Sequence, residues 1–138
     1  MFHFVKSNCM KIYLPPQQKE QLSSDARITE ALSDTDVTAF DIYKGTDLIG
    51  FAMLRRCTDG WFLWDYAIDF RFQNLHYGQA VLTELCQMMK EKGANWITTT
   101  YKFGNGHAKH VYEKVGFVQT DIVCENGIHE VNMLLSLC

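Results

Sequence analysis

Apolar residues along the 138-residue chain recur in two rhythms, and each predicts a different kind of element. "KIYLPP", residues 11–16, reads as a first strand that stops at Pro15 and Pro16. Helical material follows from Gln17 to Leu32. "TAFDIYKGTDLIGFAML" sets two runs of strand composition around "KGTD", a hairpin with glycine in its loop. "WFLWDYAIDF" is nearly continuous in its apolar character, as an interior strand would be. Then the rhythm changes: Val81, Leu82, Leu85, Met88 and Met89 recur at spacings of three and four, a helix that Gly93 ends. "NWITTTY" returns to β-branched strand composition, and "NGHAKHVYEKVG" gives a short helix with Gly116 at its end. "FVQTDIVCENGIHEVNMLLSL" is a hairpin turning at Asn126-Gly127. Hairpins flanking a strand–helix–strand crossover predict an α/β (α+β) fold with a mixed sheet, not a purely doubly wound one. No repeat, low-complexity tract or linker breaks this order, so a single domain over 1–138 is expected.

Composition narrows the function classes. Hydrophobic content of 47% and charged content of 21% are ordinary for a soluble globular protein. A net charge of −3 carries no electrostatic footprint for nucleic acid, which is therefore not expected as a partner. No apolar run approaches a membrane span, and "MFHFVKSNCMKIYL" lacks the apolar core and cleavage site of a signal peptide. A cytoplasmic location without membrane association is the expectation. The five cysteines are odd in number and form no CxxC pair, so they read as reduced thiols serving mostly as small core residues.

Chemistry enters at "RFQNLHYGQAVL", residues 71–82. Asn74 is a candidate cap for the long helix. The first turn of a helix leaves N–H groups without partners and carries partial positive charge, so it can hold an anion. Gly78 lets the backbone approach such a ligand closely. The bland alternative is an unliganded strand-to-helix turn. Some thirty residues on comes "NGHAKHVYEKVGF", residues 105–117.

Together these segments resemble the GNAT superfamily of acetyl-CoA-dependent N-acetyltransferases. Its cofactor signature is Q/R-x-x-G-x-G/A at the helix start, followed by N-x-x-A-x-x-[VL]-Y-E-K-x-G-F. Gln73, Gly78 and Ala80 match or flank the first pattern. Asn105, Ala108, Val111, Tyr112, Glu113, Lys114, Gly116 and Phe117 match the second, which is the more specific. The order of elements agrees from about Lys11 to Leu137. Through "LIGFAML", "YAIDFRFQ" and "GFVQT" the chain looks most similar to the branch of bacterial spermine and spermidine acetyltransferases. The resemblance implies a GNAT fold, a central mixed and mostly antiparallel sheet flanked by helices. One departure stands out, because the family's first glycine is His76 here. If that position needs a positive φ, histidine is disfavoured; if it is ordinary helix, histidine costs little.

The resemblance also implies a site. Gln73 and the N–H groups of Leu75, His76, Tyr77, Gly78 and Gln79 would bind the cofactor, with Asn105. The strand over Tyr66, Ala67 and Ile68 would bulge and pair with pantetheine. Tyr112 matches the proton donor to the departing thiolate. The acceptor would be a small-molecule amine, polyamine-like by preference. An ammonium of pKa about 10.4 costs roughly 4–5 kcal/mol to deprotonate at pH 7. Family members with a glutamate base carry it where Phe62 aligns, so Asp65 is the nearest acidic substitute. The alternative for Asp65 is a structural pair with Arg55, Arg56 or Arg71, and Asp69 reads as structural. Asp25, Glu30, Asp34 and Asp36 form an acidic stretch suited to a polycation, or merely a solvated face. His107 and His110 lack a third ligand, so no metal is expected. No Cys–His pairing argues for an acetyl-enzyme, which leaves direct transfer in a ternary complex. The rival is a non-catalytic GNAT-like acyl-CoA-binding module. The sequence leaves the oligomeric state open, a homodimer included.

Overall fold

The computed structural model describes residues 1–138. Along the chain run β1 (His3–Ser7), α1 (Pro16–Lys19), α2 (Asp25–Ala31), β2 (Val37–Lys44), β3 (Asp47–Cys57) and β4 (Gly60–Ile68). A 3-10 turn at Phe70–Phe72 leads to α3 (Tyr77–Glu91), β5 (Trp96–Lys102), α4 (Gly106–Val115), β6 (Val118–Glu125) and β7 (Ile128–Ser136). The strands form one seven-stranded sheet in the order β1-β2-β3-β4-β5-β7-β6. Pairs β1/β2, β2/β3, β5/β7 and β6/β7 are antiparallel, while β4 and β5 are joined by the α3 crossover. The mixed, mostly antiparallel sheet with flanking helices is therefore the expected fold. No helix is long and apolar enough to cross a membrane. The chain divides into two compact units, residues 1–56 with 63–78, and residues 57–62 with 79–138.

The first unit is built on the β2–β3 hairpin, where Ala39 lies opposite Met53 and Phe40 opposite Ala52. Ile28 and Ala31 of α2 join Ile12, Leu14, Val37, Ala39, Phe51 and Met53 in one apolar cluster. One expectation is corrected in this unit. The first strand is His3–Ser7 and not residues 11–16. Its side chains are half-buried or exposed, so it carries little apolar rhythm. Ile12 and Leu14 are apolar because they are buried in the cluster, without strand pairing. The helical material expected from Gln17 to Leu32 is present as two short helices. Pro16 fits the first turn of α1, and the Ser24 hydroxyl caps α2 by accepting the Arg27 N–H.

In the second unit α3 buries Val81, Leu82, Leu85, Cys86 and Met89, the stripe its spacing predicts. The β6–β7 hairpin turns where expected, with Asn126 and Gly127 both at positive φ, 52° and 77°. Gly60 is glycine because the Trp96 ring occupies the place of a side chain. The cysteine expectation is corrected here too. Only Cys86 is buried, its thiol pushed up to about 12 by that burial. Cys57 is half-buried, while Cys9, Cys124 and Cys138 are exposed; none of the five is in a disulfide.

Candidate active site

The loop between β4 and α3 is braced by one carboxylate. Asp69 is fully buried. It accepts the Tyr13 N–H at 2.9 Å, the Arg71 N–H at 2.9 Å, and the Arg71 guanidinium at 3.0 and 3.2 Å. Burial works against its charge, but these donors outweigh burial and hold its pKa below the usual carboxylate range. Asp69 is structural, as its place beside the turn suggested.

Beyond this brace the backbone is forced into the left-handed region twice, with φ of 63° at Asn74 and 64° at His76. Helix α3 begins only at Tyr77, so Asn74 is not its cap. The position where the resemblance puts a glycine therefore adopts a positive φ here, and this chain meets it with histidine at a cost of about 1–2 kcal/mol. The N–H groups of Leu75, His76 and Tyr77 enter no backbone hydrogen bond, as the first turn of a helix dictates. Leu75 and His76 are exposed, and Gly78 contributes no side chain. What results is an open row of donors at the positive end of a fifteen-residue helix, fit for an anionic group.

Neighbouring polar groups fix this row in place. The Tyr66 hydroxyl donates to the Gly78 carbonyl at 2.6 Å and ties β4 to the helix start. The Gln73 amide donates to Gln18 at 2.6 Å and to the Ile68 carbonyl at 2.9 Å. The Gln73 side chain is thus spent inside the protein, and only its backbone is left for a ligand. Trp64 and Ala67, three residues apart, both pack against the cluster beneath α2.

Asp65 lies between these two residues on β4 and is only 4% exposed. One carboxylate oxygen accepts the Ser23 N–H at 3.0 Å, and the other is buried with no hydrogen-bond partner. Burial pushes its pKa up, against the lowering effects of Ser23 and the Arg27 charge. None of the three arginines considered as partners serves it. Arg55 reaches Asp34 at 3.5 Å, Arg56 reaches Asp36 at 3.0 Å, and Arg71 reaches Asp69 at 3.0 Å. Two of the four acids in the acidic stretch are thereby neutralised.

Helix α4, in the second unit, starts differently. The Asn105 side chain accepts the Ala108 N–H at 3.1 Å and closes the first turn. Gly116, at φ 115°, ends the helix in a left-handed cap. Tyr112 is 7% exposed, its ring 6.3 Å from Tyr101 and 5.4 Å from Phe117. His107 and His110 are exposed on the same helix.

A family model described as Acetyltransferase (GNAT) family matches residues 6–117, from β1 through the cap of α4. The chain belongs to the GNAT family. It is 31% identical over 81 residues to the [ribosomal protein bS18]-alanine N-acetyltransferase of Haemophilus influenzae. That match takes in 59% of this chain and spans only 55% of its relative's length. Among solved structures, a Bacillus subtilis acetyltransferase in complex with CoA superposes at a TM-score of 0.76, with 18% identity and full coverage of both chains. The Vibrio cholerae spermidine N-acetyltransferase, in complex with CoA and spermine, gives 0.70, with 15% identity over 81% of this chain and 72% of that one. At such identities these two likenesses speak for the GNAT fold. The groups that sequence reading missed, Ser23 against Asp65 and Gln18 against Gln73, lie far away in the chain and carry no local signal.

Proposed function

We propose that this GNAT chain is an acetyl-CoA-dependent N-acetyltransferase acting on a primary amine by direct transfer. The open start of α3, inside the segment that matches the family, carries this reading. Acetyl-CoA supplies the activated acetyl thioester when bound. The N–H groups from Leu75 to Gln79 would hold its pyrophosphate, with Gly78 leaving room. The backbone of Tyr66, Ala67 and Ile68 would lie along the pantetheine, and N–H groups aimed at a developing oxyanion contribute on the order of 3–4 kcal/mol. The orphaned oxygen of Asp65 supports a role at the ammonium: a desolvated carboxylate without a second donor receives a cation and its proton readily. Tyr112 would return a proton to the departing thiolate. Free tyrosine has a pKa near 10 and a thiol near 8.5, so burial and orientation must assist that transfer.

A small polyamine-like amine is the acceptor that the sequence favours, and the likeness to the Vibrio cholerae enzyme supports it. The alanine amine of a ribosomal protein is the acceptor named for the Haemophilus influenzae relative. A panel of spermidine, spermine and an alanine-terminated peptide, read by CoA release, tests the proposal. Turnover of any of them upholds it. Tight acetyl-CoA binding without turnover would favour the acyl-CoA-binding module, the reading to which strained His76 lends weight.

Asp65→Asn keeps the shape and removes the charge. It should lower kcat/KM for the accepted amine at least tenfold, about 1.4 kcal/mol, without changing acetyl-CoA affinity. Stability should respond in the opposite sense. A raised carboxylate pKa gives the wild type stability at low pH that is lost as pH rises past the ordinary carboxylate range. The asparagine variant should lack that loss in melting curves taken across this window. Normal turnover by the variant would leave Asp65 a structural residue.

A further inference from the structure

One cavity, of about 230 Å³, is lined wholly by residues of the first unit. Arg27, Glu30, Ala31, Asp34, Val37, Arg55 and Trp64 line it. It is smaller than the roughly 300–1,000 Å³ of sites for drug-sized ligands, so its occupant is about the size of an amino acid. The lining has an apolar side and a charged side. Ala31, Val37 and Trp64 form a floor continuous with the cluster under α2. On the charged side, Arg55 and Asp34 are already paired at 3.5 Å. Arg27 and Glu30 remain, three residues apart on α2 and thus neighbours on one helix surface. The Arg27 guanidinium and the Glu30 carboxylate enter no hydrogen bond or salt bridge, although the Arg27 charge also acts on Asp65.

This charge pattern discriminates among ligands. A polycation would meet two arginines, and a simple anion would meet two carboxylates. A zwitterion finds one opposite charge for each of its own, with the planar guanidinium suited to bind a carboxylate in two places. We infer that the cavity beneath α2 is a binding site for an amino-acid-like zwitterion, its carboxylate on Arg27, its ammonium on Glu30 and its apolar side chain on the Trp64 floor. The site does not depend on the acetyl-transfer reading, because its occupancy is read by binding alone. It gives a physical basis for discrimination against polycations on this face of α2.

The test uses the full-length, 15N-labelled protein and three ligands that share one carbon skeleton: L-leucine, L-leucinamide and 4-methylpentanoate. The Trp64 indole resonance, assigned with Trp64→Phe, reports occupancy. L-leucine should give a saturable shift, with the cationic amide and the anionic acid at least tenfold weaker. Arg27→Gln should reduce L-leucine binding about tenfold, to the level of the amide. Glu30→Gln should reduce it similarly, to the level of 4-methylpentanoate. Arg27 and Glu30 are both exposed residues, and unchanged amide spectra elsewhere check the fold. Absence of a saturable indole shift with L-leucine at millimolar concentration overturns the inference. So does unaltered affinity in both variants, or tighter binding of spermidine than of L-leucine at Trp64.

Discussion

The two helix starts that follow β4 and β5 are solved in opposite ways. Helix α4 is closed by its own side chain, Asn105 accepting from Ala108, after a residue in an ordinary negative-φ conformation. Helix α3 has no such closure: His76 precedes it at φ 64°, and the N–H groups there are left to the surroundings. A capped start is stable by itself and has little to offer a ligand. An open start costs stability and keeps its donors for whatever binds. Under the proposed function the two helices would do different work: α3 would supply its open end, and α4 a side chain from its middle, Tyr112.

If that division is right, damage to each helix should appear in a different constant. The largest effect is expected from Tyr112→Phe, which should lower kcat by about 10²–10⁴-fold, the range for a positioned acid. Acetyl-CoA affinity, measured by calorimetric titration, should stay within a few fold. Retained kcat would make Tyr112 a packing residue between Tyr101 and Phe117.

Gly78→Val strikes the other helix. A branched side chain at the open start should weaken acetyl-CoA binding at least tenfold, about 1.4 kcal/mol, with little change in melting temperature. Equal affinity would mean that the open donors are not the cofactor's anchor.

Asn105→Ala should cost about 1 kcal/mol of stability, the usual worth of a cap, seen as a lower denaturation midpoint. A tenfold loss of acetyl-CoA affinity in this variant would break the comparison, since it would give α4's start a ligand after all.

The smallest effect is expected from His76→Gly. Glycine relieves about 1–2 kcal/mol of left-handed strain and costs roughly 0.5–1 kcal/mol in chain entropy. The net gain should be about 0.5–1 kcal/mol in unfolding experiments, with acetyl-CoA binding intact or improved. A large loss of binding would show that the imidazole itself contacts phosphate.

Periodicity and turn chemistry determined most of the architecture. The spacing of Val81, Leu82, Leu85 and Met89 made α3 legible, and Asn126-Gly127 made the last hairpin so, because both signals are local and the structure uses them as they stand. The same holds for the family signature, which is written in consecutive residues from Asn105 to Phe117. Where apolar residues serve a core without a strand, as at Ile12 and Leu14, the pattern misled. The chemistry of the carboxylates was beyond the sequence. Asp65 and Asp69 are the same residue type four positions apart, yet one is left with an orphaned oxygen and the other is satisfied by Tyr13 and Arg71. A carboxyl group's proton affinity depends on the water it loses and the donors it gains, and both are set by residues distant in the chain. Only the fold could bring Ser23 to Asp65 and Tyr13 to Asp69. For the same reason the sequence offered His76 as a question, and the backbone, at φ 64°, answered it.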